Sequence, residues 1–285
     1  MMVRLFIKTA ALALVAGSLG GCAGGLGGMF SSEEPKVESK PADVLYGEAN
    51  KEFEESDWTK AAEKFEEVDR QHPYSKEARE AVLMAAYAYK NSGKLPEAVA
   101  AARRYLTLYP GTKEAALAQH IIASAYFERI NDASRDQADT KKALVELETL
   151  INRYPESRYA DQAKKRVRVA RDVLAASEMT VGRWYQQKAQ HLAAINRFRV
   201  VVSDYSNTAH VEEALMRLTE CYYALGVVNE AQTAAAVLGH NFPDSKWYKD
   251  AYALLQSKGL EPREDTGSWM SRYLKKLTGS GTSAS

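Results

Sequence analysis

The sequence predicts an all-α solenoid of five stacked helix pairs, and three observations carry that reading. One short string recurs five times along the 285 residues: His72-Pro73-Tyr74-Ser75, Tyr109-Pro110-Gly111-Thr112, Tyr154-Pro155-Glu156-Ser157, Tyr205-Ser206-Asn207-Thr208 and Phe242-Pro243-Asp244-Ser245. Alanine stands eight residues after each proline or Ser206 (Ala81, Ala118, Ala163, Ala214, Ala251) and twelve before (Ala61, Ala98, Ala143, Ala194, Ala231). Beyond the first thirty residues the chain is rich in Ala, Glu, Lys, Arg, Leu and Gln and poor in strand signals, as helices require.

At the N-terminus, Arg4 and Lys8 precede an apolar run, Thr9–Val15, too short to span a bilayer. Small residues follow, then Leu19-Gly20-Gly21-Cys22. Residues 1–21 resemble a bacterial lipoprotein signal peptide. Small residues let extended backbone thread a peptidase, and the Cys22 thiolate is the nucleophile that takes a diacylglycerol. The resemblance implies N-acyl and S-diacylglycerol groups on Cys22, and more than one acyl chain anchors firmly. Ala23 stands where an Asp would favour the inner membrane, so the outer membrane is the expected address. Loss of residues 1–21 leaves 36 basic and 37 acidic side chains, a net charge of −1. Residues 22–41 are dominated by Gly, Ser, Glu, Lys and Pro and read as a flexible tether.

Each recurring string reads as the end of one helix and the start of another. Proline cannot continue a helix, and the Ser or Thr two residues later is placed to cap its successor. The in-register alanines suit close helix crossings. Gly93 and Pro96 mark the other kind of turn, a helix end followed by a proline in the next first turn. A helix pair cannot bury its apolar face alone, so neighbours stack. Residues 42–112 hold two pairs and 113–258 three more. The long third copy places a loop at Asn131–Thr140. In the fourth, Tyr159–Gln187 reads as one long helix, with Gly182 the place where it would break.

Residues 259–285 form a tail. Pro262–Gly267 is a linker, and Trp269, Tyr273 and Leu277 then fall on one helical face, with Arg272, Lys275 and Lys276 elsewhere. This short basic amphipathic segment is expected to dock on a partner or on the last repeat in preference to a membrane.

A formal net charge of +1 lacks the positive excess of a nucleic-acid binder. Two cysteines, Cys22 and Cys221, leave no disulfide framework, and Cys221 reads as a small buried side chain. The five histidines have no i, i+4 pairing, and HExxH, CxxC, GxSxG and a glycine-rich phosphate loop are all missing. No catalytic residue, metal site or cofactor is expected beyond the lipid on Cys22. Tyr105, Tyr109, Tyr154 and Tyr205 recur near second-helix ends and read as packing between repeats.

The alanine-to-proline spacing of twelve resembles the tetratricopeptide repeat from residue 42 to about 257. Within that class the chain resembles the BamD family of outer-membrane lipoproteins, which belongs to the β-barrel assembly machinery. The strings that carry this are Asp57-Trp58, Ala86-Tyr87-Ala88-Tyr89-Lys90-Asn91, Arg135-Asp136-Gln137 and Ala193-Ala194-Ile195-Asn196-Arg197. The resemblance implies a non-catalytic scaffold on the periplasmic face of the outer membrane. It implies binding of BamA periplasmic domains through the C-terminal repeats, with Asn196 and Arg197 as contacts, beside the other lipoproteins of the complex. Unfolded outer-membrane proteins would enter a groove in the N-terminal repeats, with Tyr87, Tyr89 and Arg104 as lining residues. Tyr87 and Tyr89 lie two apart on a helix and cannot share a face, so one is expected in the core. Of Arg103 and Arg104, one is expected in solvent and the other along the groove. The rival readings are another tetratricopeptide lipoprotein, such as a pilotin or a cell-division coordinator, and a lipid-anchored cell-wall enzyme.

Overall fold

The computed structural model describes residues 40–272, which form eleven α-helices and no strand. Cys22, the tether up to Ser39, and the tail from Tyr273 onward lie outside the described residues.

Five antiparallel pairs follow one another: α1 (Ala42–Glu54) with α2 (Trp58–Gln71), α3 (Lys76–Asn91) with α4 (Leu95–Leu108), α5 (Ala115–Phe127) with α6 (Ala138–Arg153), α7 (Ala160–Gln187) with α8 (His191–Asp204), and α9 (Val211–Ala224) with α10 (Val228–Asn241). The last helix, α11 (Lys246–Gln256), packs on α9 and α10. Each helix packs on its sequence neighbour, and α1 also meets α3, and α3 meets α5. Across the first three pairs, first helices therefore lie closer together than second helices, which puts them on the inner side of the stack there.

All ten in-register alanines are buried, none exposing more than 2% of its surface. They sit in every second helix and in each of α3, α5, α7, α9 and α11, so each close crossing has one small residue on both sides. The residue before each proline ends its helix with the same extended twist: φ is −133° at His72, Tyr109 and Tyr154. A following proline disfavours the helical region there. Tyr205 keeps that shape at φ −128° with Ser206 in the proline's place.

Capping follows the expectation in two strings of the five. Ser75 accepts from the Ala78 N–H at 2.9 Å, and Ser245 from the Trp247 N–H at 3.1 Å. In the other three an extra turn intervenes. Thr112 and Thr208 donate back to the carbonyls of Tyr109 and Tyr205, and the backbone N–H of Ala115, Ala160 and Val211 donates to the carbonyl of Thr112, Ser157 and Thr208. The two threonine hydroxyls are thus spent on the preceding helix end, the buried Ser157 Oγ bonds to neither helix, and α5, α7 and α9 begin three residues later.

Two boundaries also move. The third-pair loop ends at Gln137, and Thr140 lies buried in the first turn of α6, donating to Gln137 Oε1 at 2.8 Å. Helix α7 runs unbroken through Gly182. A Cβ at Gly182 would lie 2.4 Å from Cε1 of Phe198, so this glycine makes room for an aromatic ring of α8 rather than a break. Gly239 does the same for Tyr248 of α11.

The apolar interior divides into three clusters. One spans α1 to α5, a small one joins Ala123, Leu147, Leu150 and Ala163, and a third runs from Ala175 on α7 to Met270 in the tail. The tail folds back on the fifth pair. Gln232 Nε2 donates to the Glu261 carbonyl at 2.7 Å, Ser268 to Glu230 at 2.6 Å, and the Trp269 indole N–H to the Tyr222 hydroxyl at 3.1 Å. The Arg199 guanidinium lies 4.5 Å from the Trp269 ring, and Met270 is fully buried.

Candidate protein-docking surfaces

In the N-terminal pairs, Tyr89 of α3 is almost buried and donates its hydroxyl to Glu66 of α2 at 2.8 Å. Burial first, and then the bond to Glu66, raises its phenol above the usual range. Arg104 of α4 reaches the same Glu66 at 4.0 Å and Asp69 at 3.3 Å. Tyr89 and Arg104 thus share one carboxylate, between α2, α3 and α4. Tyr87 points away from them. It is 36% exposed and leans on Phe53 of α1, whose ring also meets Trp58 at 5.0 Å. The expected separation of the two tyrosines is what the helix shows, with Tyr89 the inner one. Arg103, next to Arg104, bonds Glu146 of α6 at 2.5 Å, so both arginines tie second helices together.

A recess of about 210 Å³ lies between α4, α5 and α6. Leu95, Pro96, Val99 and Tyr126 line it, and Arg129 and Lys142 rim it.

In the fourth pair, Asn196 and Arg197 are exposed near the start of α8. Arg197 pairs with Glu178 of α7 at 3.2 Å, a contact between neighbouring helices in solvent. The same two helices carry exposed large apolar side chains: Leu192, one turn before Asn196, is 67% exposed, and Val181 and Trp184 of α7 are exposed as well. Exposed apolar side chains thus share these two helices with the ion pair.

On the inner side, α7 and α9 meet through a charged network that sequence reasoning missed. Arg183 bonds Glu213 at 3.2 Å, Arg217 bonds Glu213 and Glu220, and Gln186 bonds Glu220 at 2.7 Å. The partners that join α7 to α9 lie 30 and 34 residues apart, and only their spacing on facing helices could have signalled them. Cys221 beside this network is fully buried, and burial pushes its thiol up to about 12, so it stays protonated. Among the described residues no group of His, Cys, Asp and Glu could hold a metal ion, and no helix is long and apolar enough to cross a membrane.

These surfaces suit the binding of polypeptide, and comparison with known proteins places the chain. A family model described as outer membrane lipoprotein, YfiO, matches residues 38–238. A Caulobacter vibrioides protein named outer membrane protein assembly factor BamD is 41% identical over 267 residues, covering 92% of this chain and 86% of that protein. The chain belongs to the YfiO/BamD family of outer-membrane lipoproteins. A Rickettsia prowazekii BamD is 35% identical, with coverage of 81% of this chain and 92% of that one. A tetratricopeptide repeat protein from Parabacteroides merdae aligns over 84% of this chain and 79% of its own with 16% identity and a TM-score of 0.34. The YfiO model ends within α10, so α11 and the docked tail of this BamD-family chain lie beyond it.

Proposed function

We propose that this chain is a non-catalytic scaffold for assembly of outer-membrane β-barrel proteins. The observation that carries the reading is the 41% identity, over nearly the whole chain, to a protein named outer membrane protein assembly factor. Acyl groups on Cys22 hold the mature chain at the periplasmic face, and the helix pairs reach into the periplasm. The third to fifth pairs bind periplasmic domains of BamA, with Asn196 and Arg197 in the contact. The exposed Leu192, Val181 and Trp184 on the same two helices as the Arg197–Glu178 pair support that placement. The N-terminal pairs take unfolded outer-membrane proteins, and Tyr87 supplies the exposed aromatic surface there. No cofactor enters this account.

Affinity purification of the tagged full chain from detergent-solubilised envelopes tests it. Recovery of a β-barrel protein with periplasmic domains is the expected result. Recovery of pilus or cell-division components in its place overturns the proposal.

A further inference from the structure

Four of the five recurring strings carry a proline, and Tyr205-Ser206-Asn207-Thr208 does not. That turn joins α8 to α9, at the junction of the fourth and fifth pairs. Proline fixes its own φ and restricts the residue before it, so this turn has more backbone freedom than its four counterparts. Tyr205 takes the common shape, φ −128° against −133° in three of the others, with no proline ring to hold it there.

The helices around this turn are loosely joined. α1 approaches α3 and α3 approaches α5, which closes the first two junctions through their first helices. α7 and α9 do not approach in this way, and neither do α8 and α10. Among the described helices, α8 against α9 is the close packing between the two pairs. Across from α7 to α9 reach long polar side chains, Arg183 to Glu213 and Gln186 to Glu220, which follow a change of angle without leaving a void. The junction of the third and fourth pairs has the same wide spacing of first helices. There Pro155 stiffens the turn, and Tyr159 stacks on His120 with centroids 4.4 Å apart.

The segment after α11 braces the looser junction. One turn of it touches three helices. Ser268 donates to Glu230 of α10 at 2.6 Å, the Trp269 indole N–H donates to the Tyr222 hydroxyl of α9 at 3.1 Å, and the Trp269 ring lies 4.5 Å from the Arg199 guanidinium of α8. Met270 next to them is fully buried in the cluster that both pairs share. Arg199 is exposed, and a cation–π contact at the surface is weak enough to open and close. The brace thus reaches the fourth pair through a contact that is readily broken.

We propose that the α8–α9 turn is a hinge and that residues 261–270 are its latch. Closed, Trp269 on Arg199 fixes the fifth pair against the fourth. Open, the fifth pair swings about residues 206–208, and the angle between the α8 face and α11 changes. The latch goes beyond the scaffold reading. Where that reading holds, the latch sets the spacing of the surfaces offered to a partner; the hinge itself stands on the contacts above.

Double electron–electron resonance tests this on the full-length chain carrying Cys22→Ala, in which the remaining Cys221 is buried and takes no label. One spin label is placed on α7 (Val169→Cys) and one on α11 (Ala253→Cys), both exposed positions. With the latch intact one distance is expected, and any second population stays below about 10%. Trp269→Ala should add a second distance of comparable weight. Arg199→Gln, which leaves the buried Met270 in place, should add it to a smaller extent. Ser206→Pro in the Trp269→Ala background should return the single distance, because Tyr205 already has the shape that precedes a proline. A reference within the fourth pair, Val169→Cys with Leu192→Cys, should not change in any of these variants. An unchanged distance after both Trp269→Ala and Arg199→Gln overturns the proposal, as does a second distance in the reference or one that survives Ser206→Pro. Should Trp269→Ala fail to fold, Arg199→Gln with and without Ser206→Pro decides alone. Envelope co-purification reads the assembly role separately, so failure of the hinge and failure of that role are distinguishable.

Discussion

Two glycines in helices make opposite predictions from one substitution. Gly47 in α1 is exposed, and a Cβ there meets nothing within 4 Å. Gly47→Ala removes the helix penalty of glycine and is expected to stabilise the protein by about 0.5–1 kcal/mol. Gly182 in α7 gains the same propensity, but its new Cβ would lie 2.4 Å from Cε1 and 2.8 Å from Cδ1 of Phe198. Phe198 is fully buried in the largest cluster and has no room to retreat. Overpacking of that kind costs about 1–3 kcal/mol, which outweighs the propensity gain and leaves Gly182→Ala less stable by about 1–2 kcal/mol. Urea denaturation followed by circular dichroism measures both. In a domain of this size the two variants should melt several degrees apart, on opposite sides of wild type. Adding Phe198→Leu should recover stability in the Gly182→Ala background relative to its effect alone, a coupling of about 1 kcal/mol. A Gly182→Ala protein as stabilised as Gly47→Ala would refute the reasoning, because the ring would then have yielded.

Further outcomes are expected elsewhere. Trp269→Ala removes the bond to Tyr222 and the contact with Arg199, and should release the tail; limited proteolysis is expected to cut between Gly259 and Gly267 faster than in wild type, where the segment is bonded to α10. His120 is held below its ordinary value of 6.5, at about 4, so the unfolded chain binds the proton more readily. Its contribution is complete above pH 6.5 and is lost as pH falls towards 4, and His120→Gln should flatten the stability curve in that window, as read by urea titration at each pH. Arg197→Glu breaks an exposed pair and should change stability by less than about 1 kcal/mol, while retention of the β-barrel partner in pull-downs drops further. Cys22→Ala should leave the circular dichroism spectrum intact and move the protein out of the membrane fraction.

The repeat was legible because it is local. A proline that cannot continue a helix, an alanine where two helices cross and a fixed distance between them are written within twenty residues of one another, and all ten alanines lie where that distance puts them. What the string did not reveal was how its hydroxyl is used. Ser75 and Ser245 cap forward, whereas Thr112 and Thr208 bond backward to the tyrosine three residues earlier. The choice depends on whether the next helix starts at once or after an extra turn, and the residues in the string are nearly the same in both cases. Gly182 misled for a related reason. Within its own helix a glycine reads as a weak point, and only Phe198 on the neighbouring helix shows that the missing side chain is filled space.

The candidate surfaces divide along the same line. That Tyr87 and Tyr89 face apart follows from helical spacing alone, but Tyr89 bonding Glu66, and Arg104 sharing that carboxylate, require three helices to be in register. Arginine illustrates the limit most clearly. In sequence Arg166, Arg171 and Arg183 are equivalent positions on one long polar helix. In the fold, Arg171 faces Glu148 and Arg183 faces Glu213, while Arg166 faces a serine and a phenylalanine ring. A cation's use is set by what the adjacent helix brings opposite it. In a solenoid, where each pair meets only its neighbours, that information resides at the seams and in no single repeat.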